Sequence, residues 1–249
     1  STRVRWLASV GRARTLLNLG RPAEAAAAVR DVPTSFRYQT THSTTSLRQE
    51  NRIFDAVSQT RRYAVATRDG GNGLDFLRTP ADPRMPWTQP SPPVTGFDQR
   101  FTNLPRQLKY PGRTSPTTLA DGVEARLIEA EARLQQDASA ARTEAVAILN
   151  QLRATAISPA LPALATPGTQ QEAVDLLFAE RAAWLWLTGH RLGDLRRLVR
   201  QYGRDAERVF PSGQLPAPRT GNYGRDVNLP IPFEERNNPK FTGCLNRNA

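Results

Sequence analysis

The chain is poor in the residues that most often carry chemistry. It has one cysteine, Cys244, one methionine, Met85, and two histidines, His42 and His190, in 249 residues. One cysteine excludes an internal disulfide and a thiolate metal cage. Cys244 sits in a polar tail and reads as a spare thiol. With no second histidine or cysteine beside it, His190 has no metal-ligand partner set. No apolar run approaches the roughly 18 residues that a membrane-spanning helix needs. No basic-then-apolar export signal opens the chain. Ser1 to Leu19 already reads as helix, so the chain is expected to start inside a fold. Gly-x-Ser-x-Gly, His-Glu-x-x-His and Gly-x-Gly-x-x-Gly elements are all missing. No catalytic residue, cofactor or metal is therefore assigned.

Acidic residues are also in the minority. Lys+Arg number 34 against 23 Asp+Glu, a net charge of +11, nearly all of it from arginine. Such a balance raises nucleic acid as a partner. The arginines are spread through every segment, however, with no Lys/Arg block, so no nucleic-acid partner is expected.

What is present is helical periodicity. In residues 1–31, Val4, Leu7, Val10, Ala13, Leu16 and Leu17 recur at helical spacing. Gly20 stops that helix, and Pro22 suits the first turn of the next. Ala25, Ala28 and Val29 give a small-residue face for close helix approach. Residues 32–118 are a loop-rich excursion, with a short helix expected near Thr45 to Ala56 and a strand-like Arg62-Tyr63-Ala64-Val65-Ala66. Residues 119–202 return to helical hairpins, through stripes at Val123, Leu127, Ala130, Leu134 and at Val146, Leu149, Leu152. Thr169 with Glu172 forms a candidate capping box for a helix running to about Thr188. A break at Gly189 separates it from a second helix ending near Tyr202, and residues 203–249 read as an extended C-terminal tail. The fold class is all-α: stacked tetratricopeptide-like helical hairpins with long irregular loops.

Several constellations invite chemistry. Glu180, Arg181, Arg191, Asp194 and Arg197 cluster around the Gly189 break. Each carboxylate has an arginine close in sequence, which points to structural salt bridges rather than acid–base work. Asp69-Gly70-Gly71-Asn72-Gly73 lacks the spacing and terminal glutamate of a calcium loop and reads as a plain turn. Trp184 and Trp186 flank Leu185 on a helix and so point to different sides. Arg84, Trp87 and Tyr110 lie in or near a proline-rich loop, where an aromatic ring stacks on a flat ligand or anchors the loop. They are the candidate ligand contacts.

Six short pieces, in order, resemble the SusD/RagB family. They are the 1–31 hairpin, Asp82-Pro83-Arg84, the Ala-Glu-rich stretch Glu124 to Ala132, and Ile148-Leu149-Asn150-Gln151-Leu152-Arg153. The block from Glu180-Arg181 through Gly189-His190-Arg191 to Asp194-Leu195-Arg196-Arg197 and the closing Pro230-Ile231-Pro232 with Asn238-Pro239 complete the set. The resemblance implies a non-enzymatic, nutrient-binding subunit for an oligosaccharide or peptide. Its implied place is the cell-surface side of the outer membrane, as the lid of a SusC-like TonB-dependent transporter. Family members are usually about twice this length and begin with a lipid-modified cysteine. The chain is thus expected to be a C-terminal portion, lacking the N-terminal part and its lipid anchor. The alternative is a helical-repeat structural subunit of a larger cell-surface assembly or filament, with neighbouring chains or the missing N-terminal part covering an apolar face around Leu7, Leu16 and Leu17.

Overall fold

One helix, α4 (Gly122–Arg133), has two apolar faces, and the rest of the protein is arranged on either side of it. The structure, a computed structural model, describes residues 1–229 and 231–242. Cys244 and Pro230 lie outside the described residues.

On one side of α4 stand α1 (Thr2–Asn18) and α2 (Pro22–Val29). Gly20 has φ +71, and the amides of Gly20 and Arg21 return to the carbonyls of Leu17 and Leu16. That left-handed residue closes α1, and Pro22 opens α2 where its missing N–H costs nothing. Val10, Ala13, Leu16 and Leu17 meet Ala25, Val29, Ala125 and Ile128 in one buried cluster. Leu16 and Leu17 are thus covered by the chain's own α2 and α4.

On the other side, Leu127, Ala130 and Leu134 pack with α5 (Ser139–Thr155), α6 (Gln170–Trp184) and α7 (Arg191–Arg200). Thr169 and Glu172 form the capping box, each side chain bonding the other's backbone amide. The proline-rich linker before α6 is strapped to α5. Asn150 exchanges two hydrogen bonds with Leu164, at 2.7 and 3.0 Å, and Arg153 Nε donates to the Pro162 carbonyl at 2.6 Å. The Leu-Asn-x-Leu-Arg pattern therefore has a physical meaning, since its polar members hold the linker.

The strands are few and short. β1 (Arg37–Thr40) pairs antiparallel with β4 (Thr117–Asp121), and β2 (Trp87–Thr88) with β3 (Arg106–Gln107). β4 runs straight into α4, with Asp121 accepting the Glu124 amide as the helix cap. At this junction Gly122 has no room for a side chain: a Cβ would stand 2.0 Å from the Pro33 carbonyl oxygen. Its amide bonds the Phe36 carbonyl at 2.8 Å, tying the β1 segment to the start of α4.

The excursion departs from its sequence reading in detail. The helix expected near Thr45 to Ala56 is the short α3 (Arg52–Phe54), continued by a π-helical turn, Asp55–Gln59. Asn51 sets its start, because its side chain accepts the amides of Ile53 and Phe54. Arg62 to Ala66 is not a strand, since Arg61 turns the chain with φ 53 and no ladder partner follows. α6 stops at Trp184, short of Thr188, because Leu187 takes φ 56 and Trp186 enters a separate cluster with Val65, Leu77 and Met85. Among the described residues of the 203–249 stretch are two short helices, α8 (Ala206–Val209) and α9 (Phe233–Arg236).

Candidate binding clefts around the α6–α7 elbow

The elbow between α6 and α7 is held by buried ion pairs rather than by one hinge residue. Gly189 has φ +81 and open space where a Cβ would sit, so its requirement is conformational alone. Leu187 turns the chain as well, and Thr188 Oγ1 donates to the Leu185 carbonyl at 2.5 Å.

Arg181 and Asp194 form a two-pronged pair at 2.9 and 3.0 Å. Arg197 bonds Asp194 at 2.8 Å and grips Glu131 of α4 at 2.8 and 2.9 Å. Two acids and two arginines thus close a neutral, buried quartet joining α4, α6 and α7. Arg197 also reaches Asn18 at the end of α1, at 3.1 Å. Burial alone would raise Asp194, but Arg181 and Arg197 outweigh it and hold the carboxyl below its ordinary value. The two arginines are pushed above theirs, since Glu131 and Asp194 outweigh the opposing effect of burial.

Glu180 does not pair with its sequence neighbour Arg181. It accepts Arg84 and Arg153, both at 2.7 Å, and Trp184 Nε1 at 3.3 Å. Arg84 is also bound by Asp82 through Nε, Nη2 and its own amide, and Asp82 pairs with Arg78. The Asp-Pro-Arg turn is therefore a plug that fixes the excursion to α6. A third group centres on Glu124, which takes two bonds from Arg14, at 2.7 and 2.8 Å, and faces His190 Nε2 at 3.0 Å. Because a carboxylate only accepts, His190 Nε2 carries the proton there. Burial pushes Glu124 up, but His190 and Arg14 more than offset it and bring it down to about 2.

Beside these pairs lies a cleft of about 450 Å³. Arg84 and Tyr110 line it, together with Arg37, Lys109, Asp121 and His190. Tyr110 is nearly buried; its hydroxyl donates to the Leu187 carbonyl, and Gln107 clamps its backbone. Lys109 Nζ donates to the Trp186 carbonyl at 2.5 Å, and burial pulls its amine down to about 8. Burial pushes the Asp121 carboxyl up. The wall thus offers one amine, two guanidinium groups and the Asp121 carboxyl. Trp87 is not part of this wall. Its indole N–H donates to the Arg78 carbonyl at 3.3 Å, and the ring packs on the Val65, Leu77 and Met85 cluster. Arg191 stands apart from the quartet, without an ion pair among the described residues. It lines a second cleft of about 510 Å³.

The Asp69-Gly70 loop is a structural contact. Gly70 lies against Ser212, where a Cβ would come within 2.7 Å of backbone, and the Asn72 amide donates to the Arg208 and Phe210 carbonyls. Among the described residues, no group of three His, Cys, Asp or Glu stands close enough to hold a metal, and no helix is long and apolar enough to cross a membrane.

Sequence reasoning missed Glu131, Arg153 and Lys109. Glu131 carried a signal: it is an acid in the apolar stripe of Leu127, Ala130 and Leu134, and it is fully buried. A carboxylate so placed requires a cation from another element.

Residues 124–243 match the SusD family. No curated protein and no solved structure matches the chain. The matched segment begins at Glu124 and contains the whole Glu131–Arg181–Asp194–Arg197 quartet. The family points to a nutrient-binding surface protein associated with a SusC-like transporter.

Proposed function

We propose that this chain is the C-terminal part of a non-enzymatic nutrient receptor that forms the lid of a SusC-like TonB-dependent transporter on the outer-membrane surface. Its helical hairpins would stack in tetratricopeptide fashion, with α1–α2 and α4–α5 as successive units and the 32–118 excursion as a covering layer. The nutrient, an oligosaccharide or a peptide, would enter the cleft lined by Arg84, Lys109 and Tyr110.

The carrying observation is the family match over residues 124–243, together with a ligand-sized cleft that this segment lines in part, through Glu124, Trp184 and His190. Pockets of roughly 300–1,000 Å³ suit small ligands. The cleft supports Arg84 and Tyr110 in different roles from those of exposed contacts. Arg84 is fixed by Asp82 and Glu180, and Tyr110 by Gln107 and Leu187, so both shape the wall. Trp87 serves as the anchor of the loop. The rival scaffold reading loses its main motive, because Leu16 and Leu17 are already covered by α2 and α4.

Thr118 lies on β4 in the cleft wall. Calorimetric titration of oligosaccharide and peptide pools against the wild type and Thr118→Trp tests the reading. A ligand bound by the wild type is expected to bind the filled variant at least about tenfold more weakly, the equivalent of one strong contact. Equal affinity in both proteins, or no binding from either pool, contradicts it.

A further inference from the structure

Arg191 is the arginine of the elbow that folding leaves unspent. Its neighbours Arg181 and Arg197 are each matched to a buried acid, yet Arg191 has no carboxylate within ion-pair distance among the described residues. It is not a free surface residue either. Its side chain is partly enclosed, and burial pushes the guanidinium down from its ordinary value. A guanidinium cannot shed its charge to escape this cost, because it stays protonated at any working pH. An enclosed, unpaired cation of this kind is a standing debit in stability.

The second cleft, of about 510 Å³, is where Arg191 faces, between α6, α7 and residues 203–209. Arg204 and Arg208 line the same cleft. Arg204 spends Nη2 on the Gln171 carbonyl at 2.9 Å and on Asp175 at 3.0 Å. Its Nε–H is shielded from solvent and has no hydrogen-bond partner. Nearby acids are already engaged. Asp175 holds Arg204, Asp205 caps α8 by accepting the Glu207 amide, and Asp69 accepts the Tyr223 hydroxyl. Leu195, Leu198 and Val209 give the wall an apolar part, beside the polar Asn72 and Gln171. An unpaired guanidinium, that of Arg191, beside an apolar wall matches a molecule with an oxyanion at one end and an apolar body at the other.

We infer that this cleft is a second binding site, separate from the Lys109–Tyr110 cleft, for a small molecule bearing a carboxylate or phosphate that Arg191 receives. The inference stands on the unpaired Arg191 guanidinium and the cleft it lines, and does not depend on the transporter reading.

The test uses the full chain and three probes: N-acetyl-L-phenylalanine, its neutral amide, and inorganic phosphate, at constant ionic strength. Binding is read by calorimetry and by the rise in melting temperature that each probe causes. At least one anionic probe is expected to bind, with the neutral amide at least about tenfold weaker than its acid if the carboxylate is the ligand group. Phosphate binding without acid binding assigns the site to phosphate compounds, and the reverse assigns it to carboxylates. In Arg191→Gln the anion-dependent rise should vanish, and in Arg191→Lys part of it should return. Without any probe, Arg191→Gln should melt at or above the wild-type temperature, because an unpaired enclosed cation has been removed. Failure of both anions to bind, or an undiminished anion effect in Arg191→Gln, overturns the inference. A variant that melts well below the wild type overturns it too, since Arg191 would then be a structural residue.

Discussion

Arg181 and Arg191 lie ten positions apart on either side of one elbow and meet opposite fates. Arg181 is almost wholly buried and locked to Asp194 at 2.9 and 3.0 Å. Arg191 is half-buried, faces a cleft and has no acid in contact among the described residues. The first belongs to the fold. The second is available to a ligand. The difference teaches that arginine content alone says little about role; what matters is whether the structure supplies the counter-charge. The 34 lysines and arginines of the chain thus divide into cations balanced by an acid and cations left over.

The sharpest way to break the comparison is to remove a counter-charge from the locked side. Asp194→Ala strands Arg181 and Arg197 in the core with only Glu131 between them. Breaking a buried pair in this way costs about 3–5 kcal/mol, so the urea midpoint should fall steeply. A loss under about 1 kcal/mol, the range of a surface pair, would mean that the quartet does not hold the elbow.

A gentler probe is acid. Glu124 is lowered in the folded protein from an ordinary 4.5 to about 2, so its contribution is complete above about 4.5 and is lost as pH falls toward 2. The depressed Asp194 acts in the same direction. The wild type should lose on the order of 2–3 kcal/mol over that window through Glu124, and Glu124→Gln should flatten this part of the stability curve. An identical acid profile in the variant would show that Arg14 and His190 do not hold the carboxylate ionised.

The smallest effect concerns helix initiation. Thr169→Ala removes half of the capping box at the start of α6 and should cost about 1 kcal/mol, with a fall in melting temperature of roughly 2–4 °C. An unchanged melting temperature would show that the strapped linker, not the cap, sets where α6 begins.

Much of the helical part was legible, because its signals are local. The Gly20 stop, Pro22 at the first turn of α2 and the Thr169–Glu172 box depend on residues within a few positions of each other. The charged block at the elbow was legible as paired, and Arg181, Asp194 and Arg197 do pair, but the partner of Glu180 was not. Its two arginines, Arg84 and Arg153, come from the excursion and from α5, and no spacing rule joins residues so far apart. Arg191 looked like Arg181 in sequence for the same reason: charge and position are local, while the presence of a facing acid is a tertiary fact. The excursion was least legible. Strands of two residues, such as Trp87–Thr88, exist because pairing and the Gln107 clamp hold them, not because their propensity demands it. Trp87 was readable as ligand contact or anchor, and its packing on the Val65, Leu77 and Met85 cluster supports the anchor.

The most direct measurement is a side-by-side thermal melt of Arg197→Gln and Arg191→Gln, each with and without the anionic probe that the wild type binds. The locked arginine should cost roughly 10 °C when removed and leave the probe's increment intact. The unpaired one should keep or raise the melting temperature and lose the increment. If both variants fall by similar amounts, or if the increment survives in Arg191→Gln, the division between scaffold and binding arginines is wrong.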